Sequence, residues 1–234
     1  MQRTNRKKWW RFIMVFLRIF KRKPKFIVLG DKLEDQAIYL CNHVGASGPL
    51  TLELYFPKLF RFWGTYEMNE GMGKRFKYLS TTYFHQKKHL PKFLAFVVAI
   101  FATPFMTIFY KGIRLISTYP DARLINTFKQ SYEVLDQNQS IIIFPEDSSK
   151  GYFEHLTKYF AGFVKLADKC YARGQDLLIY NMYYQKKNKL IVIDQPIRYS
   201  EVKAWNLTKE EIAEKFRCRA NELGEMKFDK ETKK

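Results

Sequence analysis

The chain has 234 residues, 47% of them hydrophobic and 27% charged, with 21 Phe and 15 Tyr. This apolar content excludes a disordered chain, and the length fits one α/β domain. The formal net charge of +18 leaves nucleic acid or an anionic membrane as partners to consider, but no nucleic-acid recognition motif accompanies the charge. The three cysteines are widely spaced, which indicates a reducing, cytosolic location and no zinc site.

The N-terminal segment carries more than half of the excess charge, since residues 1–25 contain ten Lys and Arg and no acid. An apolar, aromatic block at residues 9–20 is bracketed by these cations, a pattern typical of a helix lying in the plane of an anionic membrane. A secretory signal peptide is disfavoured because Lys, Arg and Pro, rather than small residues, follow the block. An amphipathic helix packed on the domain is the remaining alternative.

Short apolar runs at residues 26–30 and 37–41 predict two strands, and the second strand ends directly before Asn42 and His43. A helix with Pro in its first turn is expected over residues 50–56, followed by a strand over 60–65.

Residues 93–110 contain no charged side chain, and Lys92 and Lys111 flank them. Eighteen residues are at the lower limit for a membrane-spanning helix, and Pro104 would break or kink such a helix. Three interpretations stay open: a membrane-dipping or re-entrant hairpin, a buried core helix, and a transmembrane span.

The second half of the chain continues the alternation of helices and strands. A helix ending at Asp136 precedes a strand over residues 140–144, and a capping box from Thr208 to Glu211 begins the last helix. The elements expected between them are a helix over 154–173 and strands over 177–183 and 190–197.

This alternation predicts an α/β fold with a mostly parallel central sheet flanked by helices. The expected organisation is a basic amphipathic membrane-anchoring helix at residues 1–25, an α/β domain at 26–200, and a C-terminal helix with a charged tail at 201–234. Parallel sheets place their sites in loops at the C-terminal ends of the strands, so His43 and Glu146 are expected to share one crevice.

His43 is the best candidate for a general base among the four histidines, because a loop of small residues at 44–48 leaves space for substrate. His85 and His89 lie in a basic stretch that we expect to be exposed. His155 lies early in a predicted helix.

Asn42-His43 after one strand, and Phe144-Pro145-Glu146 after a later strand, resemble two motifs of the glycerolipid and lysophospholipid acyltransferases of the 1-acylglycerol-3-phosphate acyltransferase type. In that family the motifs read Asn-His-x-x-x-x-Asp and Phe-Pro-Glu-Gly-Thr-Arg-Ser. The resemblance extends over roughly residues 10–200 and implies that His43 is the general base, acting without a metal or cofactor. It further implies an acyl thioester donor, on CoA or acyl carrier protein, and an acceptor phosphate bound by the second of these motifs.

The chain departs from this pattern where the family has the Asp of its catalytic dyad, because Gly48 occupies that position. Asp147 replaces a motif Gly, so this carboxylate is a candidate to orient His43 across the crevice. A turn-capping role for Asp147 is the alternative. Glu53 is a weaker candidate, expected to face elsewhere from its helix.

Lys150 is a candidate for the phosphate-binding charge that the family's motif Arg would supply, because Ser149 stands in place of that Arg. Arg114 is too far along the chain to replace a second family Arg, whose position holds Thr118. Six residues make up the expected substrate-binding set: Asn42, Ser47, Gly48, Glu146, Ser148 and Lys150.

The sequence therefore predicts an acyltransferase at the cytoplasmic face of a membrane, peripheral or monotopic, which acylates a lysophospholipid-type hydroxyl. The expected partners are the anionic membrane surface, the two substrates and, as one option for the donor, acyl carrier protein; nucleic acid is not expected. The alternative is a catalytically impaired relative that keeps the lipid crevice as a binding or scaffolding module.

Overall fold

The structure is a computed structural model that describes residues 6–228. The predicted N-terminal anchor and C-terminal tail therefore extend beyond the described residues, at 1–5 and 229–234. The strands are β1 Lys25–Val28, β2 Ile38–Cys41, β3 Phe60–Thr65, β4 Ile116–Thr118, β5 Ser140–Ile143, β6 Leu178–Gln185, β7 Leu190–Ile193 and β8 Ile197–Arg198. The α-helices are α1 Lys8–Phe20, α2 Ser47–Tyr55, α3 Met72–Lys77, α4 Lys92–Ile113, α5 Leu124–Asp136, α6 Gly162–Ala172, α7 Tyr199–Lys203 and α8 Lys209–Glu225, and a π-helix spans Tyr78–Lys87.

The strands form one sheet in the order β1-β7-β6-β2-β5-β3-β4, with β8 paired to β6. The pairs are parallel except for β6 with β7 and β6 with β8. The predicted α/β fold, with a mostly parallel sheet flanked by helices, is confirmed.

Two hydrophobic clusters cover the two faces of the sheet. Ile38 and Leu40 of β2 belong to one cluster, together with residues of α5, α6 and α8. Tyr39 and Cys41 belong to the other, with residues of α1, α2 and α4. Successive side chains of a strand point to opposite faces, so a strand covered on both sides is apolar throughout, as β2 is.

Several boundaries differ from those predicted. The expected helix over 154–173 begins only at Gly162, because the preceding segment is extended and Tyr159 forms a bridge with Glu146. The expected strand over 190–197 is divided between β7 and β8, with Pro196 just before β8. Arg114 ends α4 in a left-handed conformation and precedes β4, so it does not share a strand face with Thr118.

Helix α1 is anchored to the domain by polar contacts with α2. Glu53 accepts hydrogen bonds from Arg6 at 2.9 and 2.8 Å and from Trp10 at 2.8 Å. Arg18 donates to the backbone carbonyl of Leu54 at 2.6 and 3.1 Å. One side of α1 is thus packed on the domain, as one alternative had it, and Glu53 faces this helix rather than His43.

The other side of α1 is apolar and exposed. Phe12, Ile19 and Phe20 are 79%, 74% and 73% exposed. Such large exposed apolar side chains on one helix are unusual for a surface in contact with water alone.

Helix α4 runs continuously from Lys92 to Ile113, through Pro104, so residues 93–110 do not form a hairpin. By length and composition it is the one helix among residues 6–228 that could cross a membrane, with a mean hydropathy of 2.1 over its 18-residue window. Only 17% of that window is buried, so α4 is not the buried core helix that one interpretation expected. Trp10 packs against Phe109 at 5.6 Å, which brings α1 and α4 together.

Candidate active site at the ends of β2 and β5

The loops after β2 and β5 lie side by side because these two strands are parallel neighbours in the sheet. The ring centroids of His43 and Phe144 are 4.7 Å apart. The backbone N–H of His43 lies near enough to the carboxyl group of Glu146 to favour its charged form. The structure therefore brings the two motif segments of the sequence together at one edge of the sheet.

The backbone after His43 makes a sharp turn into α2. Val44 and Gly45 have φ angles of 50° and 59°, in the left-handed region. Gly45 adopts this region readily, but a β-branched residue such as Val44 does so at a cost of about 1–3 kcal/mol. Strain of this kind is commonly found at functional sites.

The imidazole of His43 lies between two aromatic rings, since Tyr152 stacks on it at 5.0 Å and Phe144 contacts it as described. Its Nδ1 atom is buried and has no hydrogen-bond partner in the described part of the chain. Burial, and secondarily the ammonium of Lys87, lower the pKa of His43 to about 4. The ring is therefore neutral near pH 7.

Asp147 is a turn residue in this structure. Its Oδ1 accepts a hydrogen bond from the backbone amide of Ser149 at 3.0 Å, and its own amide donates to the carbonyl of Lys158. Hydrogen bonding to Ser149 lowers the pKa of Asp147. The structure contains no hydrogen bond from Asp147 to Nδ1 of His43, so a role for this carboxylate in orienting the ring stays a prediction.

Gly48 has no room for a side chain in this structure. A β-carbon at this position would lie 2.2 Å from the backbone oxygen of His43, closer than any real contact. The start of α2 therefore packs directly on the loop that carries His43, and an Asp at position 48 would require the backbone to move.

Glu146 is the carboxylate that reaches the His43 loop. Its Oε1 is buried without a hydrogen-bond partner among residues 6–228. Burial raises the pKa of Glu146 to about 7, against the opposing effect of the His43 backbone N–H, so this group is partly protonated at neutral pH. Glu146 thus lies beside the loop of the catalytic candidate, and its Oε1 is available for a donor.

Asn42 is used by the sheet rather than by the crevice. Its Oδ1 accepts from the backbone amide of Tyr184 at 2.7 Å, and its Nδ2 donates to the carbonyl of the same residue at 3.3 Å. The side chain is 2% exposed. Asn42 therefore ties the end of β2 to β6, and its predicted contact with substrate has no support in this geometry.

Of the remaining predicted binding residues, one contacts the end of α1 and the others lie on the loop after β5. Ser47 accepts a hydrogen bond from Lys21 at 2.7 Å and so joins α2 to the end of α1. Ser148 accepts from Lys87 at 2.8 Å, within the site. Lys150 is exposed, two residues further along the same loop.

The π-helix contributes to the site, although the sequence predicts an exposed basic stretch here. Lys87 hydrogen-bonds to Ser148, and the Ala46 backbone lies near enough to Tyr83 to lower the pKa of its hydroxyl against the larger effect of burial, which raises it. His85 is not part of the site, because its Nδ1 pairs with the carbonyl of Leu90 at 2.8 Å. Two adjacent lysines close to several tyrosines were the sequence feature that could have indicated a binding role for this segment. No local pattern indicated which loop these lysines would contact.

No group of three His, Cys, Asp or Glu side chains within residues 6–228 is arranged to hold a metal ion. The chain matches no protein-family model and no curated protein.

Proposed function

We propose that the protein is an acyltransferase that moves a fatty acyl group from an acyl-CoA or acyl-carrier-protein thioester to a lysophospholipid-type hydroxyl. The observation that carries this proposal is the meeting of two separate motif loops at one edge of the sheet. The His43 ring and the Phe144 ring are in contact, and the backbone N–H of His43 lies near enough to Glu146 to favour the charged form of its carboxyl group. The sequence of either loop alone does not require the two loops to lie next to each other.

In the proposed reaction His43 acts as a general base and forms no covalent intermediate. The acceptor hydroxyl oxygen attacks the thioester carbonyl carbon as His43 takes the hydroxyl proton. The carbon–sulfur bond then breaks, and the proton passes to the leaving thiolate, which yields the ester and a free thiol. The neutral ring expected for His43 near pH 7 supports this role, because only the neutral form can accept a proton.

The ring of His43 has to be oriented without the family's dyad carboxylate. Tyr152 stacks on the ring and Phe144 contacts it at a tilt, so the two aromatic side chains together restrict the plane of the ring. We therefore assign the orientation of the base to aromatic packing in this chain, with Asp147 as a further partner only if the loop rearranges when substrate binds.

We also propose that α1 and α4 hold the protein on the cytoplasmic face of an anionic membrane. Exposed aromatic and aliphatic side chains line both helices, and Phe93, Phe101 and Phe105 of α4 are 80%, 69% and 71% exposed. Cations precede, interrupt and follow the apolar residues of α1. Apolar side chains that enter the lipid, with cations at the headgroups, describe an interfacial helix.

Vesicle flotation tests the membrane proposal. Replacing Phe12 and Phe16 with Glu should reduce binding to vesicles that contain anionic lipid, and replacing Phe101 and Phe105 with Glu should do the same. Phe153→Glu is the matched control, since Phe153 is also exposed but lies on neither helix. Equal flotation of all variants and wild type would exclude both helices as the attachment surface.

Product formation tests the acyltransferase proposal. Purified protein, labelled acyl-CoA or acyl carrier protein, and lysophosphatidic acid in vesicles should yield labelled diacyl product. The scaffolding alternative is favoured by one observation, the absence of a carboxylate partner for His43 Nδ1 in the described structure. Lipid binding without product from either donor would select that alternative and reject the enzyme.

A further inference from the structure

Two lysines outside the motifs flank the candidate active site. Lys87 ends the π-helix and donates to Ser148 Oγ at 2.8 Å. Lys88 extends to the loop after β2, where its Nζ would be 3.2 Å from a β-carbon placed on Gly45. The pair therefore reaches both loops of the site.

The two ammonium groups share one aromatic neighbour. Lys87 Nζ lies 5.7 Å from the ring centroid of Tyr152, and Lys88 Nζ lies 5.5 Å from it. The same ring stacks on His43 at 5.0 Å. Both charges are thus separated from the catalytic candidate by a single ring.

The side-chain hydrogen bond of Lys87 goes to a neutral group, the hydroxyl of Ser148, at 2.8 Å. The carboxylates of Glu146, Asp147 and Glu67 lie near enough to favour the charged form of Lys87. Burial acts in the opposite direction and lowers the pKa of Lys87. A partly buried cation with a neutral partner gains from an anion that can accept a charge-assisted hydrogen bond.

Nδ1 of His43, buried and without a hydrogen-bond partner among residues 6–228, lies in the same site. Lys150, the phosphate-binding candidate from the sequence, is exposed on the same loop as Ser148. Lys87 hydrogen-bonds to the loop after β5 and Lys88 approaches Gly45 in the loop after β2, so the pair is better placed than Lys150 to hold an anion between the two loops.

We propose that Lys87 and Lys88 bind a phosphate group of a substrate, an inference that rests on the acyl-transfer function proposed above. Phosphate oxygens would replace or join the Ser148 hydroxyl as acceptors for Lys87 and would bridge to Lys88. The phosphate has two possible sources, the monoester of a lysophospholipid acceptor and the phosphates of CoA.

Calorimetric titration of the full-length protein separates these sources. Lysophosphatidic acid in phosphatidylcholine vesicles is compared with monoacylglycerol, which lacks the phosphate, and CoA is compared with 3′-dephospho-CoA. Inorganic phosphate serves as the minimal probe. A preference for the phosphorylated member of one pair identifies the source.

The decisive variant is the double substitution Lys87→Met and Lys88→Met, with Lys165→Met, at an exposed lysine of α6, as the matched control. We expect the double variant to lose the phosphate preference and to bind the phosphorylated ligand at least about tenfold more weakly. The control should change binding less than about twofold, as expected for an exposed charge. Unchanged binding by the double variant, or an equal loss in the control, would overturn the inference.

The outcome remains interpretable if the double variant is unfolded or if no acyl transfer is found. In the first case Lys88→Met alone is measured, with Lys88→Arg expected to restore binding because it keeps the charge. Phosphate binding that depends on these lysines in a protein without acyl transfer would keep this inference and reject the proposed enzyme. Acyl transfer with an unaltered KM for the phosphorylated substrate in the double variant would keep the proposed enzyme and reject this inference.

Discussion

Glu53 and Glu146 are both largely shielded from water, but their carboxyl groups differ in their hydrogen-bond partners. Glu53 has both oxygens occupied, by the guanidinium of Arg6 and the indole of Trp10. Glu146 has one buried oxygen with no partner in the described structure, and its pKa is raised to about 7.

The difference separates a structural carboxylate from a candidate functional one. A fully partnered charge holds two elements together, here α1 and α2, and contributes mainly to folding. A carboxylate left partly unsatisfied costs stability, and such groups persist where they serve a site. Substitutions at these two positions should therefore change stability in opposite directions at neutral and alkaline pH.

The largest effect is expected from Glu53→Ala. Removing this carboxylate leaves the Arg6 charge and the Trp10 donor without their partner, and loss of one member of a buried pair costs about 3–5 kcal/mol. Chemical denaturation measures the free energy of unfolding. Glu34→Ala, which removes the exposed ion pair with Lys32, is the control and should cost less than about 1 kcal/mol.

Gly112→Ala tests how closely α1 packs on α4. A β-carbon at position 112 would lie 2.2 Å from the Trp10 ring, so α1 must shift or α4 must bend. Overpacking of this kind costs about 1–3 kcal/mol. Gly73→Ala, where no atom lies within 4 Å, should not destabilise the protein, and equal stability of the two variants would contradict the tight packing of α1 on α4.

Gly48→Asp tests the region of Glu146. This change introduces the carboxylate that the resembling acyltransferase motif carries at this position, yet the new side chain would collide with the His43 backbone. We expect a loss of about 1–3 kcal/mol in the free energy of unfolding and no gain in acyl transfer. A stable and more active variant would mean that the loop after β2 can open to accept the carboxylate.

Glu146→Gln should stabilise the protein at neutral and alkaline pH, and not in acid. A raised folded-state pKa contributes stability that is complete below the unfolded value near 4.5 and is lost as pH rises through about 7. Gln does not titrate, so the variant should exceed wild type by roughly 1–2 kcal/mol at pH 8 and match it near pH 5. Thermal unfolding at both pH values measures this, with the exposed Glu154→Gln as control; a variant less stable at pH 8 would show that Glu146 is stabilised as an anion.

Much of the fold follows from hydrophobic patterning, because strands and helices that bury an apolar face leave a periodic trace in the sequence. Strand β3 occupies the residues predicted for it, α5 ends at Asp136 as expected, and the Thr208 capping box begins α8. Local sequence propensity did not predict the segments in which the backbone is irregular. The π-helix and the extended segment before α6 are set by packing on the site rather than by their own residues.

The sequence predicted which residues of the site follow the ends of strands, but not which side chains contact them. The alternation of elements implied that the strands before His43 and Glu146 end at the same edge of the sheet. That β2 and β5 are neighbours, which brings the two residues together, is seen only in the structure. The partners of Glu53 lie 47 and 43 residues away, and no sequence pattern connects them. Asp147 was read as a replacement for the residue missing at Gly48, but a short-range bond to the Ser149 amide competes for its carboxylate.

The account depends above all on His43 as the base for acyl transfer. The most direct measurement is the single-turnover rate of labelled acyl transfer to lysophosphatidic acid by wild type and His43→Gln, with His155→Gln as control. His155 contacts Asn221 of α8 and is not part of the site. We predict that His43→Gln lowers the rate by about 10²–10⁴-fold and that His155→Gln leaves it unchanged; equal rates for His43→Gln and wild type would contradict the account.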